Sequence, residues 1–369
     1  MNILIFIMLI FFGLGLIDCI TGRHMGLADG FERGIAQTGS LCMSIVGIYC
    51  IGITVVRQNI ESVAALFEKL PFDGSIITSM ILAPDLGGYP LALEIAASPE
   101  LIVFSGFLLS GGLGCLISFQ LPIALVMIKK EHTNEMMQGF VPGIIAIPAG
   151  LLAGGIMLSM DIRVMLINMV PVLVVCLILA FGAVKFPKGI QKVLSAFGTG
   201  IRYLSMILSA VVLIGLFYEP WQLAPSDLVK EALVISVKIA VVVCGGLALS
   251  DFILNHCRGV IRTAALKLGI NQFAMVGLVL SLTSGIAMLP LFEKMDHRGR
   301  LMNAAFSVMG AYVFGGQMAF VAGLTTTKNL LIYMAGKLIS GILALVVVWL
   351  MDKTRKSAKG PVEECVHTK

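Results

Sequence analysis

Charge is what this chain most lacks. Of its 369 residues only 13% are Asp, Glu, Lys or Arg, where a soluble domain usually carries about 25%. The eight cysteines are scattered, with Cys42, Cys50, Cys115, Cys176 and Cys244 inside apolar blocks and no CxxC or Cys/His cluster. That pattern argues against a structural zinc site or a disulfide framework, and no cofactor is expected. HExxH is absent, and so is the basic face with interleaved aromatics that nucleic-acid binding requires. The first apolar block, 2–17, has no basic leader before it and no small-x-small cleavage site, so it reads as a retained helix rather than a signal peptide.

Apolar sequence fills the space that charge leaves. Hydrophobic residues make up 58% of the chain, and the mean hydropathy is +0.99. These residues fall in blocks of roughly 20, the length that crosses a ~30 Å hydrocarbon core. Full-length blocks run near 2–20, 35–56, 101–128, 139–160, 164–184, 201–217, 229–254, 301–323 and 329–351. Two further segments, 72–93 and 270–292, are apolar but interrupted by Gly, Pro and polar residues. Such interruptions at membrane depth survive only where protein or a water-filled cavity surrounds the freed backbone groups. The expected fold is therefore an all-α polytopic membrane protein of about 9–11 transmembrane segments, with two broken, re-entrant helical hairpins.

Topology follows from the basic stretches. If both broken segments return to the side they came from, then KFPKGIQK, HCRGVIR, DHRGR and KTRKSAK fall together on the cytoplasmic side. The acidic EPWQLAPSD loop then falls outside, and the C-terminus is cytoplasmic. A gapless shift of 200 residues superposes the two broken segments, aligning Leu82 with Leu282, Pro90 with Pro290, Leu91 with Leu291 and Leu101 with Leu301. Under that topology the two copies run in opposite senses, an inverted-repeat plan frequent in secondary transporters. The division this suggests is a first repeat over 1–160, a linking span and basic loop over 161–200, a second repeat over 201–351 and a basic tail over 352–369.

Asp85 is the residue that calls for a function. It lies in an apolar segment beside Pro84 and Gly87-Gly88, where a carboxylate costs about 2.5–3.5 kcal/mol on insertion scales. The glycines would let backbone approach a ligand, and Tyr89 would offer a ring face to a cation. The alternative is that Asp85 caps the half-helix beginning near Tyr89. Glu94 is either a second anionic site or a residue at headgroup level. Thr283 and Ser284, at the second break, would suit a polar uncharged part of a solute, with Asn303 and Gln317 nearby. Lys337 is too deep in the last span to reach the interface freely, and reads as a structural tether or a coupling charge. Asp18 and Asp251 end spans and read as interfacial.

Together the run LAPDLGGYPLALEIA, the stretch EKMDHRGRLMNAAFSV and the AGKLISG of the last span resemble the ethanolamine-utilization transporter family, EutH. The resemblance covers nearly the whole chain in order, from IDCI with Asp18 and GFERG with Glu32 to the Asp85 motif, MDHRG and Lys337. It implies an ethanolamine permease of the bacterial cytoplasmic membrane, whose partners are the bilayer and a small amine. A homo-oligomer is compatible with the sequence. Departures from the family pattern fall at Pro84, at Thr283-Ser284 and at Gly316-Gln317, all next to the expected site. Carriers of another small amine or of an ion-coupled polar solute stay open. An intramembrane aspartyl protease would need two facing Asp residues and a G-x-G-D element, whereas Asp85 precedes its glycines. A receptor has no need of two broken hairpins.

Overall fold

The computed structural model describes residues 3–358, and these contain no strand. The helices are α1 (Ile3–Ile20), α2 (Ala28–Gln58), α3 (Ile60–Phe67), α4 (Ser75–Ile81), α5 (Gly88–Ile95), α6 (Pro99–Met127), α7 (Lys130–Met157), α8 (Ile162–Lys185), α9 (Pro187–Gly215), α10 (Ser226–His256), α11 (Arg258–Leu268), α12 (Gln272–Thr283), α13 (His297–Met309), α14 (Gly316–Leu324) and α15 (Thr327–Ala358). Among the described residues eight of them, α1, α2, α6 to α10 and α15, are long and apolar enough to cross a membrane. The protein is a multi-pass, all-helical membrane protein. The basic tail expected over 352–369 lies, from 359 onward, outside the described residues.

The outer helices turn apolar side chains outward. Leu177, Phe181 and Val184 of α8 are all more than half exposed, which water would penalise and acyl chains accept. At the other extreme, α6 is enclosed along almost its whole length and winds as a π-helix over Phe104–Gly114 and Leu116–Gln120. Its glycines allow that enclosure. A Cβ on Gly114 would lie 2.2 Å from the Leu82 carbonyl, and one on Gly111 would lie 2.9 Å from the Tyr333 ring. Wide turns of this kind also leave carbonyls free for partners outside the helix.

Both interrupted segments fold back on themselves. The first runs through α4, a break, a 3-10 turn at Pro84–Leu86, and α5, and its two helices pack together. At its foot the Asp73 carboxylate accepts hydrogen bonds from Ser75 N at 2.9 Å and Ala97 N at 2.8 Å. The second runs through α12, a break after Thr283, and a 3-10 segment at Leu289–Lys294. At its foot Asn271 caps α12 through Ala274 N at 2.9 Å and donates to the Lys294 carbonyl at 2.8 Å. The two feet lie at opposite ends of α7. Asp73 N donates to Asn168 in the second turn of α8, the helix that follows α7, whereas Glu135 at the start of α7 binds His297 and Arg300 beside the second foot.

One expected span is not continuous. The block 301–323 divides into α13 and α14, with a break between Met309 and Gly316. Tyr312 adopts a positive φ of 63° there, and a Cβ on Gly315 would fall 1.7 Å from the Thr283 carbonyl. Backbone contact this close cannot be made by an uninterrupted helix carrying ordinary side chains. Tyr312 N and Phe314 N donate instead to the carbonyls of Ser281 and Leu282, at 3.0 and 2.8 Å. The groups freed by two breaks thus satisfy each other.

Candidate functional site

Three interruptions meet around one cavity of about 50 Å³, room for on the order of four water-sized groups. Ala83 and Asp85 come from the first break, Thr283, Ser284 and Ile286 from the second, and Tyr312, Gly316 and Gln317 from the third. Gln37 of α2, Phe119 of α6 and Val243 of α10 close the wall. Asp85 is half-buried and is the only titratable lining group besides the Tyr312 phenol. A larger groove of about 380 Å³ between α7, α8 and α15 is lined by apolar groups with Asn134 and Gln138. It offers a cation no counter-charge.

Local backbone explains why Asp85 points where it does. Gly87 has a φ of 109°, a conformation that glycine adopts without strain and that turns the chain sharply into α5. Gly88 N and Leu86 N both donate to the Ala83 carbonyl, and Ala83 N donates to Ser118 Oγ at 3.0 Å. The break is therefore satisfied without the Asp85 side chain. Neither the 3-10 turn nor α5 has a side-chain cap, so the capping role does not describe this carboxylate. Among the described residues no other residue donates a hydrogen bond to it.

Four expected site residues share the cavity: Asp85, Thr283, Ser284 and Gln317. Thr283 Oγ1 lies 2.7 Å from Ser250 Oγ, which fixes its rotamer. Gln317 Oε1 accepts from Tyr333 Oη at 3.1 Å and from Lys337 Nζ at 2.9 Å. Lys337 also donates to the Gly111 carbonyl at 2.6 Å, one of the acceptors on the π-helical stretch of α6. It stands behind the wall rather than in it.

The remaining expected residues lie elsewhere. Gly87 and Gly88 serve the turn, and a Cβ on Gly88 would sit 2.7 Å from both the Leu82 carbonyl and Ser110. Tyr89 stacks on Phe107 with centroids 4.3 Å apart, so the ring face expected to meet a cation is already covered. Glu94 accepts from Arg57 at 2.8 Å, away from the cavity. Asn303 is fully buried between helices and donates to the carbonyls of Ala274 and Gly299, both at 2.9 Å. Asp18, which reads as interfacial in the sequence, is buried and accepts from Met25, Leu27 and Ala28 amides, holding the α1–α2 turn. Asp251 pairs with Arg33 at 2.7 Å.

Sequence reasoning missed Gln120, Tyr312, Gln37 and Phe119. Gln120 is fully buried, accepts from Tyr312 Oη at 2.8 Å and donates to the Gly285 carbonyl at 3.2 Å. A glutamine inside an apolar span was the available signal, since a buried amide needs partners.

Comparison with known proteins identifies a family. The sequence model of the family described as "Ethanolamine utilisation protein, EutH" matches residues 1–351. The chain is 32% identical, over 99% of its length and 98% of the relative's, to "Probable ethanolamine permease EutH" of Listeria monocytogenes serotype 1/2a (strain 10403S). It is 29% identical, over 92% of each chain, to "Uncharacterized protein YxeR" of Bacillus subtilis (strain 168). A further "Probable ethanolamine permease EutH", from Salmonella typhimurium (strain LT2), is 26% identical over 95% of each chain. No solved structure matches. With the family's full pattern spread over 351 residues, this chain belongs to the EutH family of ethanolamine utilisation proteins.

Proposed function

We propose that this protein is a permease that carries ethanolamine across the bacterial cytoplasmic membrane in its ammonium form. The observation that carries the reading is the shared cavity. Its lining includes the Asp85 carboxylate, which among the described residues has no hydrogen bond from a neighbouring residue, together with Thr283, Ser284 and Gln317. A carboxylate together with hydroxyl and amide groups in one small cavity suits a two-carbon chain with an ammonium and a hydroxyl. A primary alkylamine has a pKa near ~10, so at pH 7 about one molecule in a thousand is uncharged. External acid cuts the diffusible form further, and a protein path for the cation becomes useful.

The hairpin feet at opposite ends of α7 support alternating access around a fixed site, with two inverted repeats over 1–160 and 201–351 as the moving parts. Counterflow in liposomes tests the reading. Labelled ethanolamine inside should exchange with external ethanolamine and with short primary amino alcohols, and poorly with alkylamines lacking the hydroxyl. Equal exchange with propylamine would remove Thr283, Ser284 and Gln317 from substrate recognition. Absence of exchange would remove the permease assignment.

A further inference from the structure

Lys337 is almost completely buried, at 1% exposure, yet no carboxylate among the described residues contacts it. Its Nζ donates to Gly111 O at 2.6 Å and Gln317 Oε1 at 2.9 Å, and lies 5.3 Å from the centre of the Tyr333 ring. The ionisable groups around it are Tyr333 from its own helix, in contact, and, further off, Asp85 from the first break and Cys115 from α6. Among the described residues Asp85 likewise has no cation in contact. Gln317 joins the two, with its oxygen on Lys337 and its side chain on the cavity wall. The region thus holds one half-buried anion on the cavity wall and one fully buried cation behind it.

A low-dielectric interior tolerates a balanced pair and resists a second uncompensated cation. With the cavity empty, Lys337 balances Asp85. An arriving ammonium makes two cations for one carboxylate, and only the lysine can relieve the excess without leaving, by releasing a proton. Its surroundings suit that change. Two acceptors contact Nζ, and a neutral amine still has two N–H groups to satisfy them.

We propose that Lys337 and the substrate ammonium alternate as the counter-cation of Asp85, so that each ammonium carried one way is exchanged for one proton carried the other. This rests on the amine-permease reading above. On the loading side the Lys337 ammonium gives its proton to cavity water as the substrate ammonium docks at Asp85. After reorientation the substrate leaves, and the Lys337 amine takes a proton from water on the release side. Only N–H bonds break and form, and the charge crossing the membrane in a cycle sums to zero.

The test uses the full chain in liposomes, with labelled ethanolamine, a lumenal pH dye and a potassium diffusion potential set by valinomycin. Flux through Asp85→Asn liposomes is subtracted, because diffusion of neutral ethanolamine moves the same net charge and protons. Protein-mediated uptake should be insensitive to the sign of the potential, with one proton moving out per ammonium moving in. For an ammonium uniporter, a potential of about 100 mV would change accumulation by about fifty-fold, and that result overturns the exchange. Lys337→Arg keeps a cation but cannot release its proton at working pH, so uptake and counterflow should both be lost in folded protein. A merely structural lysine predicts rescue by arginine, and near-wild-type flux in Lys337→Arg overturns the proposal. Where the variant fails to fold, the wild-type potential measurement decides alone. Wild-type flux no greater than that of protein-free liposomes would overturn the permease reading itself, and the exchange with it.

Discussion

Tyr312 donates its hydroxyl hydrogen to Gln120 Oε1 over 2.8 Å, and through that bond a residue held at positive φ in the third break is anchored to the enclosed helix α6. The Gln120 amide then donates to Gly285 in the second break. One glutamine therefore positions two of the three interruptions that line the cavity.

Replacing it should loosen the site without removing its charge. Gln120→Leu leaves a buried hydroxyl and a buried carbonyl unpaired, a loss of about 1–3 kcal/mol each. A lowered thermal midpoint in detergent is expected, with ethanolamine affinity reduced less than by any change at Asp85. An unchanged midpoint would mean that neither contact matters to stability.

Asp85→Asn should abolish uptake of an ammonium substrate in protein that inserts and folds normally. Removing one partner of a buried charge-assisted contact costs about 3–5 kcal/mol, more than about a hundredfold in affinity. Asp85→Glu keeps the charge one methylene further out and should retain partial uptake. Uptake by Asp85→Asn within about twofold of wild type at equal expression, far below the hundredfold expected, would rule out the anchor.

Glu94 should be dispensable for recognition. Its partner Arg57 is 57% exposed, and exposed ion pairs contribute about 0–1 kcal/mol. Transport by Glu94→Gln should stay close to wild type with the same selectivity among amines. Altered selectivity at normal expression would bring Glu94 into the solute's path.

Gly315→Ala should fail to assemble the site. Its Cβ would meet the Thr283 carbonyl at 1.7 Å, a backbone atom that no rotamer change can move. Overpacking of this kind typically costs about 1–3 kcal/mol, and more where backbone must shift. The readout is the monodisperse fraction by size exclusion, with Gly323→Ala as the control, since nothing lies within 4 Å of a Cβ at Gly323. Equal yields for the two variants would contradict the close approach.

The hairpin feet offer a separate check on architecture. Asp73→Ala removes the acceptor for Ser75 N and Ala97 N, and Asn271→Ala removes a cap and the bond to Lys294. Each cap is worth about 1 kcal/mol. Both variants should lower the thermal midpoint, while Asn271→Asp, which keeps the capping oxygen but not the donor, should lower it less than Asn271→Ala. The reverse order would indicate that the donor to Lys294 holds the foot.

How much of this could be read beforehand divides along physical lines. Membrane residence, helical class and the breaks near Asp85 and Thr283 are properties of local composition, because lipid demands about 20 apolar residues per crossing and punishes free backbone groups wherever they occur. Which polar groups converge is not local. Gln120 and Gln317 sit in apolar runs that look alike in sequence, and only packing sets one against Gly285 and the other against Lys337. Tyr89 looked available because its neighbours in sequence are glycines, and it is covered by Phe107 from another helix. The third break, between Met309 and Gly316, was hidden in an apolar run because hydropathy does not register backbone dihedrals. There Gly315 lies against the Thr283 carbonyl, where no Cβ would fit, a contact that only the assembled bundle creates.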